Sequence, residues 1–247
     1  MAVEENYRVE AAETAEEQSQ IAETDTNKSA AKPKTRRVYR FFKRAIDVIL
    51  SACGIVVLAL PMLIVAIIIK IDSPGPVFFK QKRVGLHKKH FTILKFRSMP
   101  VDVPRDTPTH QLKNADAMLS KWQHFIRRSS IDELPQIFNI FTGKMSIIGP
   151  RPALWNQDDL IAERDKYGAN DVKPGLTGWA QINGRDELEI PVKARLDGEY
   201  VEKMGFLFDC KCFFGTILSV LKSDGVVEGG TGAIKDRDNV DKEANDK

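Results

Sequence analysis

Twenty-two consecutive residues without a charge, VILSACGIVVLALPMLIVAIII from Val48 to Ile69, set the strongest limit on how this chain can fold. A straight helix of that length reaches about 33 Å, enough to cross a hydrocarbon core of about 30 Å. A buried soluble helix is disfavoured, because soluble helices rarely run so long without a polar face. The run also starts too far from the N-terminus, and lacks a small-residue cleavage site behind it, for a signal peptide. Pro61 removes a backbone bond inside it and predicts two arms, Val48–Leu60 and Met62–Ile69, of about 20 and 12 Å by the helical rise. Neither arm spans a bilayer.

The flanks bear on how such a helix sits. Lys32–Arg44 carries seven basic residues in thirteen positions, with Tyr39, Phe41 and Phe42 among them. Cations beside aromatics next to an apolar run suit a membrane interface better than a nucleic-acid patch. Downstream, Lys70, Lys80, Lys82, Arg83, Lys88, Lys89, Lys95 and Arg97 face the single acid Asp72. With both flanks basic, the positive-inside rule prefers neither orientation for a spanning helix. A re-entrant helix, entering and leaving on one side with its break at Pro61, satisfies both flanks; the alternative is a Pro-kinked spanning helix.

Composition hides this segregation: 247 residues, 43% hydrophobic, net charge +3, as for an ordinary soluble protein large enough for a core. The +3 is a −6 segment, residues 1–30, set against +9 in the remainder. That acidic, Ala/Thr/Gln-rich segment has almost no large apolar residues and predicts a disordered tail over 1–35. Three cysteines make no disulfide framework and no zinc site. His87, His90, His110 and His124 show no ligand spacing. Asp236-Arg237-Asp238 lies in a polar tail, 227–247, and reads as accidental.

After the basic flank and membrane helix of residues 36–71, residues 72–226 read as an α-rich α/β region with short strands. Pro76–Lys82 and His90–Phe96 predict strands around a turn at Val84-Gly85-Leu86, and residues 110–128 predict a helix. Asp132–Thr142 predicts a short helix with Ser130 as N-cap and Glu133 completing a capping box, which puts Asp132 and Glu133 in its first turn. Acids there are common for stability alone. Their neighbours change the reading: Arg127 and Arg128 lie just upstream, and Arg151 is held between Pro150 and Pro152, as suits bidentate phosphate recognition.

The ordered set of motifs resembles the bacterial sugar transferases, small monotopic polyprenyl-phosphate phosphoglycosyl transferases. It comprises Lys43-Arg44-Ala45-Ile46-Asp47, Gly75-Pro76-Val77-Phe78-Phe79 with Gln81 and Arg83-Val84-Gly85, Lys95-Phe96-Arg97-Ser98-Met99, Ile131-Asp132-Glu133-Leu134-Pro135-Gln136, Ser146-Ile147-Ile148-Gly149-Pro150-Arg151-Pro152, and Lys173-Pro174-Gly175-Leu176-Thr177-Gly178-Trp179-Ala180-Gln181-Ile182-Asn183-Gly184-Arg185. It runs in unbroken order between Arg40 and Gly232.

The resemblance implies a catalytic domain on the cytoplasmic face of the bacterial inner membrane, transferring a sugar 1-phosphate from a UDP-sugar to undecaprenyl phosphate with release of UMP. Asp132 would be the nucleophile, forming a phosphosugar–aspartyl intermediate. Glu133 would hold Mg²⁺ with Asp132, or take the proton of the lipid phosphate. Lys95, Arg97, Arg127, Arg151, Pro152, Gln181 and Arg185 would bind the donor. The family's helix break is typically Ser-Pro; here it is Leu60-Pro61. Downstream glycosyltransferases and a second copy of the chain are the implied protein partners, with no nucleic acid. Glucose, galactose and N-acetylated sugars all fit. Phe206, Cys210, Phe213, Phe214, Ile217, Leu218 and Leu221 share one helical face, which fits a core helix by periodicity and an interfacial helix by the resemblance. A scaffold that has lost activity is the reading from another class, disfavoured by the intact cluster of arginines around two carboxylates. A glycosyltransferase releasing UDP is the third.

Overall fold

The computed structural model describes residues 37–100, 119–184 and 188–222; the predicted acidic tail, the polar tail, residues 110–118 of the predicted helix and Arg185 lie outside them. The apolar run forms one helix, α1 (Arg37–Asp72), which contains Pro61 without ending at it. A proline removes only one backbone bond and clashes with one preceding turn, so apolar turns on either side can keep the helical path. The predicted helix is therefore present as one continuous element, with Pro61, the predicted break point, inside it.

One stripe of α1 lies against the rest of the molecule. It steps by three or four residues through Arg44, Asp47, Ser51, Gly54, Leu58, Met62, Val65 and Ile69, the repeat expected of a single helix face. At Gly54 the approach is so close that a Cβ would collide with the Ile137 side chain. Met62, Val65 and Ile69 form a core with Phe96 and Ile126. The opposite face is bare apolar surface along the whole helix, from Val38 and Phe41 to Ile71; within the uncharged run it is most exposed at Val56, Val57 and Leu60, close to Pro61.

The hairpin β1 (Phe78–Val84) and β2 (His90–Phe96) pairs antiparallel, Phe78 opposite Phe96 and Val84 opposite His90. β1 starts two residues later than predicted, since Pro76 has no N–H to give the ladder. α2 (Lys121–Arg128) begins with a true capping box between Ser120 and Gln123. The box predicted at Ser130 and Glu133 does not form. Ser130 has φ 55° and makes no capping bond, and Ile131–Glu133 is a single 3₁₀ turn. Pro135 separates that turn from α3 (Gln136–Phe141), so the predicted single helix is two pieces. Glu133 is drawn instead to two cations, whose charge-assisted bonds outweigh a neutral cap.

β3 (Ser146–Ile148) and β4 (Gly175–Thr177) form a parallel pair. Between them lies α4 (Asp158–Asp165); after them come α5 (Trp179–Ile182), α6 (Ile190–Lys203) and α7 (Phe206–Lys222). Gly149, Gly175 and Gly178 meet backbone to backbone: a Cβ on Gly175 or Gly178 would strike Gly149. This contact holds Pro150-Arg151-Pro152 beside β4, with Gly175 N donating to Pro150 O at 2.9 Å.

α7 carries Phe206, Phe213, Phe214, Ile217 and Leu218 exposed, while Cys212, rather than Cys210, is fully buried. Of the predicted apolar face, Cys210 is half-buried and Phe206, Phe213, Phe214, Ile217 and Leu218 are exposed; the Leu221 side chain lies outside the described residues. Asp209 clamps α7 to α1, accepting from Tyr39 Oη at 2.5 Å and Lys43 Nζ at 2.7 Å.

Candidate active site

Four elements converge on Asp132 and Glu133, which are buried despite their charge. β2 supplies Lys95, α2 ends on Arg127 and Arg128, the 3₁₀ turn holds the two acids, and the glycine-backed turn after β3 presents Arg151. Lys95 Nζ donates to Glu133 Oε1 at 2.7 Å and lies 3.9 Å from Asp132 Oδ2. Arg151 donates to the same Glu133 carboxylate with both terminal nitrogens, at 2.7 and 3.4 Å. Arg127 is near enough for its charge to act on Asp132.

The two carboxyls respond in opposite directions. Burial pushes Asp132 up to about 6; Lys95, Arg127 and Arg151 pull against this, and neighbouring Glu133 adds to it. Burial raises Glu133 as well, but Arg151 and Lys95 together outweigh it and hold that carboxyl well below the usual range. Asp132 is therefore the carboxylate less satisfied by the protein, which suits a group that must bond to something else. Glu133 is the anchored one.

Side chains behind these hold the geometry. Asn139 pins α3 to β2, donating to Thr92 O at 2.8 Å and accepting from Leu94 N at 2.9 Å. Arg83 joins β1 to the Arg151 turn, donating to Gln81 Oε1 and to Pro152 O at 3.0 Å. Asp47 of α1 accepts from Ile147 N at 3.0 Å, tying β3 to the apolar helix. Sequence reasoning missed Asn139, although a lone amide within an apolar stretch was a visible signal.

Of the predicted site residues, Lys95, Arg127, Asp132, Glu133 and Arg151 are brought together. Pro152 is buried beside them, offering its carbonyl to Arg83. Gln181 lies on α5 with Nε2 on Leu176 O and Oε1 buried without a partner, in the wall of a cavity that Glu133 also lines. Arg97 is elsewhere. Its guanidinium donates to Pro74 O, Ser73 O and Ser73 Oγ at 2.6 to 2.9 Å just beyond α1, and to Ile69 O in the last turn of α1 at 3.4 Å. The last carbonyls of a helix lack internal donors, and a buried end must find some; Arg97 helps meet that need at Ile69 O, while Lys95 and Arg151 bond Glu133.

Among the described residues no group of three or more His, Cys, Asp or Glu side chains could hold a metal. The oxygens present, two adjacent carboxylates, fit Mg²⁺ of the kind held by one or two carboxylates and completed by substrate phosphates.

Residues 38–223 match the family model for bacterial sugar transferases. The chain is 41% identical over 187 residues to the uncharacterized sugar transferase EpsL of Bacillus subtilis (strain 168), covering 76% of this chain and 89% of that protein. It is 38% identical over 193 residues to the UDP-glucose:undecaprenyl-phosphate glucose-1-phosphate transferase of Escherichia coli (strain K12), covering 73% and 40% of the two. To the undecaprenyl-phosphate glucose phosphotransferase of Komagataeibacter xylinus it is 40% identical over 185 residues, covering 71% and 35%. The chain thus spans most of the Bacillus relative and well under half of the other two. It belongs to the bacterial sugar transferase family.

Proposed function

We propose that this bacterial sugar transferase moves a sugar 1-phosphate from a UDP-sugar to undecaprenyl phosphate, an early membrane step in making an exopolysaccharide or other surface glycan. The carrying observation is a buried, poorly satisfied Asp132 beside an anchored Glu133, with Lys95, Arg127 and Arg151 around them. An Asp132 oxygen attacks the β-phosphorus of the donor. The bond from that phosphorus to the bridging oxygen breaks, and UMP leaves with the electron pair. An oxygen of the lipid phosphate then attacks the same phosphorus and frees Asp132. Two displacements on one carboxylate let a soluble donor and a lipid acceptor react in turn.

The obstacle is anion meeting anion. Lys95, Arg127 and Arg151 face it with preorganised positive charge, and Arg151, backed by Arg83 and the glycine contact, holds its fork in one orientation. Mg²⁺ held by Glu133 and Asp132 would neutralise phosphate oxygens further. The product would then pass to glycosyltransferases that extend the glycan.

The reading extends to the membrane. The α1 stripe runs the length of the apolar segment along the same body that carries Lys95 and Glu133. If α1 spanned the bilayer, that charged body would lie in hydrocarbon, where each unpaired polar group costs on the order of several kcal/mol. A monotopic arrangement avoids this: α1 dips in with the exposed Val56–Leu60 region and Pro61 deepest, and returns to the cytoplasmic face. The catalytic part is tested with a UDP-sugar carrying labelled sugar, Mg²⁺ and no lipid: label and phosphate are retained on protein, and Asp132→Asn retains none. Equal labelling of the variant removes Asp132 from this role. Protease access to tags at both ends from the cytoplasmic side alone supports the monotopic form, and access to the two tags from opposite sides overturns it.

A further inference from the structure

A cavity of about 340 Å³ lies between α1 and α7, walled by Leu58, Ile137, Leu176, Ile182, Phe213 and Ile217. Pockets of this size hold small ligands, and these walls are mostly hydrocarbon, with Ser130, Glu133, Thr177, Gln181 and Thr216 among the polar residues that also line it. Two features identify the occupant. Leu50, Phe213 and Ile217 line the cavity yet are 50, 42 and 43% exposed, so its mouth lies on the apolar surface shared by α1 and α7. Glu133 lines it as well, whereas Asp132 is not among its described lining residues.

A ligand filling this cavity must present hydrocarbon along most of its length and a polar end at the carboxylate pair. A nucleotide sugar has the opposite character. We propose that the cavity is the berth of the acceptor's isoprenoid chain: the units nearest the lipid phosphate pass between α1 and α7, which sets that phosphate on the Glu133 side of the pair. This rests on the transfer reading above, and divides the pair's surroundings between a lipid side at Glu133 and a donor side at Asp132. It also gives the Asp209 clamp on Tyr39 and Lys43 a purpose, since that clamp holds together the two helices that bound the berth.

The test uses the full chain in nanodiscs of phosphatidylethanolamine and phosphatidylglycerol, with a diazirine-bearing farnesyl phosphate as photoprobe. Labelling is expected within residues 134–147, 176–182 and 213–219, and undecaprenyl phosphate displaces it. Labelling confined to the exposed face of α1, displacement by UDP-sugar, or equal labelling of the same peptides by a diazirine phosphatidic acid each overturns the proposal. Ser219→Phe and Ile137→Phe, which add bulk at two residues lining the cavity, raise the acceptor KM about tenfold and leave the donor KM unchanged. An unchanged acceptor KM in both, with melting temperatures intact, overturns it. Displaceable label in the berth with no UMP formed from any UDP-sugar would leave the berth standing and sink the transfer reading. UMP formation with label elsewhere does the reverse.

Discussion

Two buried charge clusters in this molecule are built differently. Arg164 of α4 and Asp197 of α6 form a closed pair, 2.6 and 2.8 Å apart, with side chains 5 and 1% exposed. Arg164 bonds the carboxylate, Lys193 adds its charge, and the result fastens two helices. Around Asp132 and Glu133 the positive charge of Lys95, Arg127 and Arg151 is in surplus, and Lys95 and Arg151 stay 16 and 24% exposed. Burial raises Asp197 as it raises Asp132, so a perturbed carboxyl alone does not mark the active site. Cations that bond a buried carboxylate while staying partly accessible set this site apart.

The largest test of that contrast is catalytic. Asp132→Asn should lower UMP formation by about 10³-fold or more, whereas Asp197→Asn should leave turnover per folded molecule within about twofold. Comparable losses per folded molecule would erase the distinction. Next in size, Asp197→Ala leaves Arg164 buried without its partner and should cost about 3–5 kcal/mol in denaturant unfolding. Replacing both by apolar residues should recover most of that loss.

A smaller effect has the opposite sign. Asp132 rises from an ordinary 3.8 to about 6 in the fold. Between those values the folded chain keeps a proton that the unfolded chain has lost, so this group's contribution falls as pH rises from about 4 to about 6 and stays low above. Asp132→Asn should therefore stabilise the metal-free protein at pH 8 by up to about 3 kcal/mol, with the gain vanishing near pH 4. A flat difference across that range would show that burial does not strain Asp132. The smallest effect separates two arginines of similar motif setting. Arg97→Lys loses the fork that caps α1 and should cost about 1–2 kcal/mol without raising the donor KM, whereas Arg151→Lys should raise it.

Much of this is legible in the order of residues alone. The apolar run declares α1, and alternating short strands with turn residues declare the hairpin. The carboxylate pair and its cations stand out because three basic residues near two adjacent acids have no simple packing role. What stays hidden involves competition among partners far apart in the chain. Ser-x-x-Gln at Ser120 caps its helix, while Ser-x-x-Glu at Ser130 does not, because Arg151 and Lys95 reach Glu133 from other elements. Arg97 resembles Lys95, two residues away, yet the two part company. Lys95 lies within β2 and reaches the site, whereas Arg97 follows the strand's last residue and turns to the carbonyls beyond α1.

By itself the sequence determined the apolar helix, its basic flanks and the adjacent acids Asp132 and Glu133, because each is written in residues close together in the chain, and the family, because its motifs keep their order along the chain. Only the tertiary structure decided which cation serves which anion, that one stripe of α1 belongs to the catalytic body, and that α1 and α7 enclose a hydrocarbon-lined cavity reaching Glu133. Those outcomes depend on distance and burial between segments far apart in the chain, where the low dielectric and the need to satisfy every buried polar group select one arrangement from several that local pattern allows.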